Sequence, residues 1–234
     1  MGMRLGTAEN PQAPPAVLER LAQDLDSLVR VRVAGNPQAP PAALERLAQD
    51  PDHVVRQAVA LSGQTAPATL GQLAQDDRAE VRQRVAGNPR TSPTTLRQLA
   101  RDQIDQVRQN VTWNETVSPD LLELLSRDQV INIRRAVGTR WTSPPEVLER
   151  LAADDHPDIR RAVARNPSTP PTVLMQLTFD NIKTVRLNVA ENPKAPVEAL
   201  ERLLQDNTPE IAEAAADSPN LPNSMRAMWQ LSHN

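Results

Sequence analysis

Seven arginines recur every 26 residues: Arg30, Arg56, Arg82, Arg108, Arg134, Arg160 and Arg186. An aspartate precedes each by six residues: Asp24, Asp50, Asp76, Asp102, Asp128, Asp154 and Asp180. Such groups can fork onto one another as charge-assisted hydrogen bonds along a stack, an interlocking structural ladder. Alternatively the guanidiniums can meet an external phosphate or carboxylate. Four further arginines, Arg32, Arg84, Arg135 and Arg161, fall in the same segments and have no acidic column to pair with. They are candidates for ligand contact. Neighbouring helices lie ~8–10 Å apart, so a run of these arginines makes a basic stripe some ~60 Å long, which suits a phosphate backbone.

A second group is aromatic. Where other units carry Gly-Asn-Pro, the chain has Trp113-Asn114-Glu115 and then Thr139-Arg140-Trp141, and Arg165 occupies the column of Trp113 two units on. Trp and Arg are the residues most enriched at binding hot spots. Trp113, Trp141, Arg140 and Arg165 are therefore candidate partner contacts. The competing reading is that each tryptophan fills a groove left by a lost proline.

Catalytic and metal chemistry find little support. His53, His156 and His233 stand in three different columns and form no metal set. The repeated aspartates are about one unit apart, too far to share a proton. No Gly-rich phosphate loop or serine elbow is present. Without cysteine there is no disulfide, thiolate zinc site or ordinary iron–sulfur ligation. No enzyme activity, cofactor or metal is expected.

These residues sit in a repeat whose column 1 is Asn10. The register returns at Asn36, Ser62, Asn88, Asn114, Arg140, Asn166, Asn192 and Ser218 without insertion or deletion. Columns 9 and 12 are Leu in all eight full units, from Leu18 and Leu21 to Leu200 and Leu203, and column 15 is Asp throughout, from Asp24 to Asp206. Column 20 is Val or Ile. Column 24 is Val in the first seven units, which are also those with Arg at column 21.

In the first unit Pro14-Pro15 opens a helix, because proline suits the first helical turn. Val17, Leu18, Leu21 and Ala22 follow on one face. Asp24 is placed to cap the next helix, whose apolar face is Leu28, Val29, Val33 and Ala34. Gly35-Asn36-Pro37 ends it, with Gly or Asn suited to a left-handed terminal residue. Helices this short are marginal alone, so stacking must stabilise them.

Composition agrees. The chain is 39% hydrophobic but 2% aromatic, with no Tyr, one Phe and twenty-two prolines that recur periodically. A thin aliphatic core reused many times fits these figures. A net charge of −3 gives no bulk basic character. No apolar run reaches the ~18 residues of a membrane helix. No signal-peptide pattern opens the sequence, and Gly6 spoils a myristoylation motif at Gly2. A cytoplasmic location is the default, and the sequons at Asn110 and Asn114 then carry no meaning.

The pattern Leu44-Glu45-Arg46-Leu47-Ala48-Gln49-Asp50, then Val55-Arg56-Gln57-Ala58-Val59-Ala60, resembles the leucine-rich repeat variant family over essentially the whole chain. The resemblance implies an all-α, right-handed superhelical solenoid in which α-helices alternate with shorter, partly 3₁₀ helices. A family member carries an iron–sulfur cluster in a separate N-terminal segment; this chain, lacking cysteine, does not share it. The Asp–Arg pairing is also loosely similar to that of HEAT repeats. The expected organisation is one array over 1–234: a partial unit at 1–9, eight full two-helix units at 10–217, and a partial or capping unit at 218–234. The chain begins inside a repeat, as either a half-unit cap or an excerpt of a longer array would.

The leading functional expectation is a protein-interaction scaffold presenting a concave face to an acidic or extended polypeptide. The runner-up is nucleic-acid binding through the arginines, against which stand two lysines and almost no aromatic residues for base stacking. A third is a structural spacer or consensus-like array without a ligand.

Overall fold

The computed structural model describes residues 2–233; Met1, Asn234 and the side chain of His233 lie outside the described residues. Among the described residues there are eighteen helices and no strand. The chain falls into two compact units, Met1–Leu121 and Leu122–Asn234.

In the first unit, Gly2–Glu9 precedes four helical pairs. The leading helices are Pro15–Leu21, Pro41–Leu47, Pro67–Leu73 and Pro93–Leu99, and the trailing ones Ser27–Gly35, His53–Leu61, Ala79–Gly87 and Asp105–Trp113. In the second unit the trailing helices are Ile131–Thr139, Pro157–Arg165, Lys183–Ala190 and Pro209–Asp217. Its leading helices are Pro145–Ala152, Pro171–Leu177 and Val197–Leu203, and Asn223–His233 closes it; Pro119–Leu125 contains the division. Within each unit the trailing helices stack one on the next.

The repeat columns explain the pairs. Proline stands at the start of most leading helices, where no N–H is missed. The paired leucines at columns 9 and 12 are buried in every repeat, as are column 20 and column 24. Each leucine removed from water contributes roughly 1.5–3 kcal/mol. The leading helices start and finish with tight i→i−3 bonds, such as Val17 N–H to Pro14 O at 2.9 Å and Gln23 N–H to Arg20 O at 3.1 Å. Trailing helices do the same, as in Val55 N–H to Asp52 O and Asn36 N–H to Val33 O, both at 3.1 Å, and no segment among the described residues is a separate 3₁₀ helix.

Three local expectations are corrected. Leu28 is not part of the apolar face: it is 40% exposed, at a column filled elsewhere by Val54, Glu80 and Gln106. No described residue has a positive φ, so neither Gly35 nor Asn36 makes a left-handed stop. Asn36 is extended instead (φ −74°, ψ 131°), which turns its side chain to another use described below. Finally, Asp24 does not cap the trailing helix. It accepts from Asp26 N–H at 3.0 Å, and Asp26 is the cap, accepting from Leu28 N–H at 3.0 Å. The capping position lies two residues beyond column 15.

Several trailing helices end on a buried hydroxyl. Thr65, Thr91, Ser143 and Thr169 each donate to the column-24 carbonyl of the preceding helix, at 2.6 Å in all four cases. Each of these carbonyls also accepts the backbone N–H three residues on, so the hydroxyl occupies its second lone pair at the buried helix end.

Candidate functional site

Two polar ladders must be separated from any binding surface. In the first, six of the column-21 arginines reach forward to the next repeat. Arg30 Nε donates to Asp50 Oδ2 at 2.6 Å and Nη2 to Oδ1 at 2.8 Å. The same fork joins Arg56 to Asp76, Arg82 to Asp102, Arg134 to Asp154, Arg160 to Asp180 and Arg186 to Asp206. Nη1 turns back to the carbonyl of the arginine's own repeat aspartate, as in Arg30 to Asp24 O at 2.8 Å, Arg108 to Asp102 O at 2.7 Å and Arg134 to Asp128 O at 2.7 Å. Each of these carboxylates also accepts a backbone N–H two residues on, as Asp76 does from Arg78.

The electrostatics follow from this geometry. The guanidiniums of Arg30, Arg56, Arg82, Arg134, Arg160 and Arg186 are held above their ordinary range, chiefly by the bond to the facing aspartate. For Asp76, Asp102, Asp154 and Asp180, burial is the largest single influence and pushes upward. The guanidinium and backbone N–H bonds together outweigh it and leave each carboxyl below the usual range. Asp206 is lowered first of all by its bond from Arg186.

The second ladder was not legible as such in the sequence. From Asn36 onward the column-1 asparagines are buried, and each spans two repeats. Asn88 Nδ2 donates to Ala60 O at 2.7 Å and Ser62 O at 3.1 Å, while its Oδ1 accepts from Arg90 N–H at 2.9 Å. Asn36, Asn166 and Asn192 do the same. The recurrence of Asn at a loop column was the available signal.

The candidate contact residues distribute over several clefts. In the second unit, Arg135, Arg161 and Arg165 line one cleft of 450 Å³ together with Asp158. All three arginines are exposed. Arg161 pairs with Asp158 at 2.9 Å, and no ion pair engages Arg135 or Arg165 among the described residues. Trp141, 73% exposed, does not line this cleft; its carbonyl accepts the Ser168 hydroxyl. Arg140 Nε donates to Thr142 Oγ1 at 2.8 Å.

In the first unit, Trp113 and Arg84 line a 250 Å³ cleft with Leu61 and Gly87. Arg32 lies in a neighbouring cleft of 560 Å³, where it pairs with Glu9 at 3.0 Å. Trp113 and Trp141 thus belong to different units. Sequence reasoning missed Leu61, although it shares column 26 with Trp113 and is 57% exposed. It also missed Phe179, the one phenylalanine, which is 61% exposed with the Arg202 guanidinium 4.0 Å over its ring. No group of three or more His, Asp or Glu residues able to hold a metal occurs among the described residues. No described helix is long and apolar enough to cross a membrane.

Two-helix units at a constant 26-residue period, bonded to their neighbours within each compact unit by side-chain ladders, define a helical-repeat solenoid. The sequence profile of the leucine-rich repeat variant family matches residues 28–52, 157–181 and 184–207. A solved structure described as a leucine-rich repeat variant with a novel repetitive structural motif is 32% identical, covering 87% of this chain and 81% of that one at a TM-score of 0.68. The chain belongs to the leucine-rich repeat variant family. The Escherichia coli protein YibA is more distant in structure: 19% identical, covering 92% and 94% of the two chains, with a TM-score of 0.48. No curated protein matches the chain.

Proposed function

We propose that this chain is a non-enzymatic scaffold that binds another protein, taking an extended acidic segment in the cleft of Arg135, Arg161 and Arg165. One observation carries the reading: three guanidiniums converge on one cleft lined by a single carboxylate, Asp158, and two of them have no ion-pair partner among the described residues. The ladder arginines, by contrast, are forked onto aspartates and have their donors committed. A guanidinium presents paired N–H groups that match a carboxylate bidentately, so Glu and Asp side chains are the natural complement.

The test is fluorescence anisotropy with the full chain and three labelled probes: a Glu/Ser peptide, a Lys/Ser peptide and a DNA duplex. The acidic peptide binds and the basic one does not. Reversing Arg135 and Arg165 to Glu weakens the acidic peptide by roughly tenfold or more, the size expected for lost charge-assisted bonds. Equal binding by wild type and the double variant overturns the proposal. Duplex binding tighter than the peptide, and falling steeply with salt, replaces it with a phosphate-binding reading.

A further inference from the structure

Column 26 through the first unit reads Glu9, Gly35, Leu61, Gly87, Trp113: large, small, large, small, large. Each is the last residue of its helix. The alternation leaves two clefts that share one wall. The first, of 560 Å³, has Gly35 between Glu9 and Leu61; the second, of 250 Å³, has Gly87 between Leu61 and Trp113. Leu61 is 57% and Trp113 52% exposed, so both stand as apolar walls in water.

The glycines have no local justification. Neither has a positive φ, and a Cβ built on either would meet nothing within 4 Å. A methyl group has open space at both positions. What glycine supplies is an open floor between two walls.

The clefts differ in charge. Over Gly35, Arg32 and Glu9 neutralise each other at 3.0 Å. Over Gly87, Arg84 is exposed and no described carboxylate pairs with it. The first cleft is therefore complementary to a plain apolar side chain, the second to an apolar side chain with an acidic neighbour.

We propose that these clefts form a second docking surface for one extended polypeptide with two large apolar side chains, one over Gly35 and one over Gly87, and an acidic residue beside the latter. The spacing follows from the stack. Helices ~8–10 Å apart place the two floors ~16–20 Å apart across two repeats. An extended chain advances ~3.3 Å per residue, so the anchors are about five or six residues apart. This surface is independent of the arginine cleft of the second unit, because it requires apolar anchors and different residues.

The experiment uses the full chain and labelled peptides with two leucines separated by two, five or eleven residues, a glutamate beside one, and a control with both leucines changed to serine. Anisotropy is read alongside Trp113 emission in a background of Trp141→Phe and Trp229→Phe. The five-residue spacing binds most tightly, the serine control at least roughly tenfold more weakly, and Trp113 emission shifts to the blue on binding. Gly35→Leu and Gly87→Leu each reduce binding by a similar factor while far-UV circular dichroism and the thermal midpoint hold or rise, and Arg84→Glu weakens only peptides carrying the glutamate. Binding by none of the peptides, equal binding at all three spacings, or wild-type affinity in both glycine variants overturns the proposal. Loss on reversing Arg135 and Arg165 with no loss in the glycine variants also overturns it, while leaving the arginine-cleft reading intact.

Discussion

In the first unit column 26 carries Gly35, Leu61, Gly87 and Trp113; in the second it carries Thr139, Arg165, Glu191 and Asp217. The arginines of the neighbouring columns change place, from Arg32 and Arg84 at column 23 in the first unit to Arg135 and Arg161 at column 22 in the second, where they share a cleft with Arg165. Nothing comparable separates the cores. Leu99 and Leu151 are each 1% exposed at column 12, and Val81 and Ile159 are 0% exposed at column 20. The ladder forks have the same form in both, as in Arg56 to Asp76 and Arg160 to Asp180. The trailing helix thus has one side held constant by packing and another free to change its chemistry. An apolar surface and a cationic one have been written on the same frame.

The largest test of that shared frame is core truncation. Leu99→Ala and Leu151→Ala should each cost ~2–5 kcal/mol, read by urea unfolding, because both leave a cavity among fixed neighbours. A loss under about half a kcal/mol at either site would mean that column 12 is not core there. A gap much above ~1.5 kcal/mol would mean that the two units are packed differently.

The ladder gives the next largest effect. Arg56→Ala and Arg160→Ala should cost about 1–3 kcal/mol each, since each strands a largely buried carboxylate and a carbonyl. Their pH dependence sharpens the point. Asp76 and Asp180 are held below the ordinary 3.8 in the folded chain. A depressed carboxyl contributes stability that is fully present well above that value and is lost as pH falls through the folded value. The arginines are raised above their ordinary range, so their share survives to strongly alkaline pH. Urea midpoints should therefore fall between about pH 5 and pH 3, and less steeply in either alanine variant. An unchanged acid slope would remove the aspartates from the account.

The smallest effect separates the surfaces themselves. Gly87→Ala should stabilise by about 0.5–1 kcal/mol, because a helical glycine is replaced where its Cβ has open space. Arg165→Ala should move stability by less than about 0.5 kcal/mol, as an exposed arginine outside the ladder. Destabilisation by Gly87→Ala would show that the glycine serves the fold and not the cleft.

The frame was legible in the sequence because packing imposes it on every repeat. Leu18 and Leu21, Val29 and Val33 recur, and recurrence at 26 residues is a long-range signal that needs no structure. The Arg–Asp relation was legible for the same reason. Other features were hidden by geometry. Asn36 read as a helix stop, because nothing in one repeat shows that its amide reaches Ala8 O and Asn10 O, 28 and 26 residues back. Gly35 read as a backbone necessity, and only its φ and the open space beside it assign the other role. The convergence of Arg135, Arg161 and Arg165 spans columns 22 and 26 of successive repeats, which adjoin only once the trailing helices are stacked.

The forward reach of each arginine has a consequence for the gene as much as for the protein. Arg56 bonds the carboxylate 20 residues ahead, Asp76, and Asn88 bonds the carbonyl 26 residues behind, Ser62. Both links connect one unit to its immediate neighbour, and both are indifferent to which neighbour it is. Excision of residues 62–87 would bring Arg56 the same 20 positions before Asp102. Duplication of that stretch would likewise leave every fork filled. A change of any other length would shift guanidiniums off carboxylates and amides off carbonyls together. The molecule can therefore lengthen or shorten by unequal recombination in whole units, and the two ladders act as its proofreading frame.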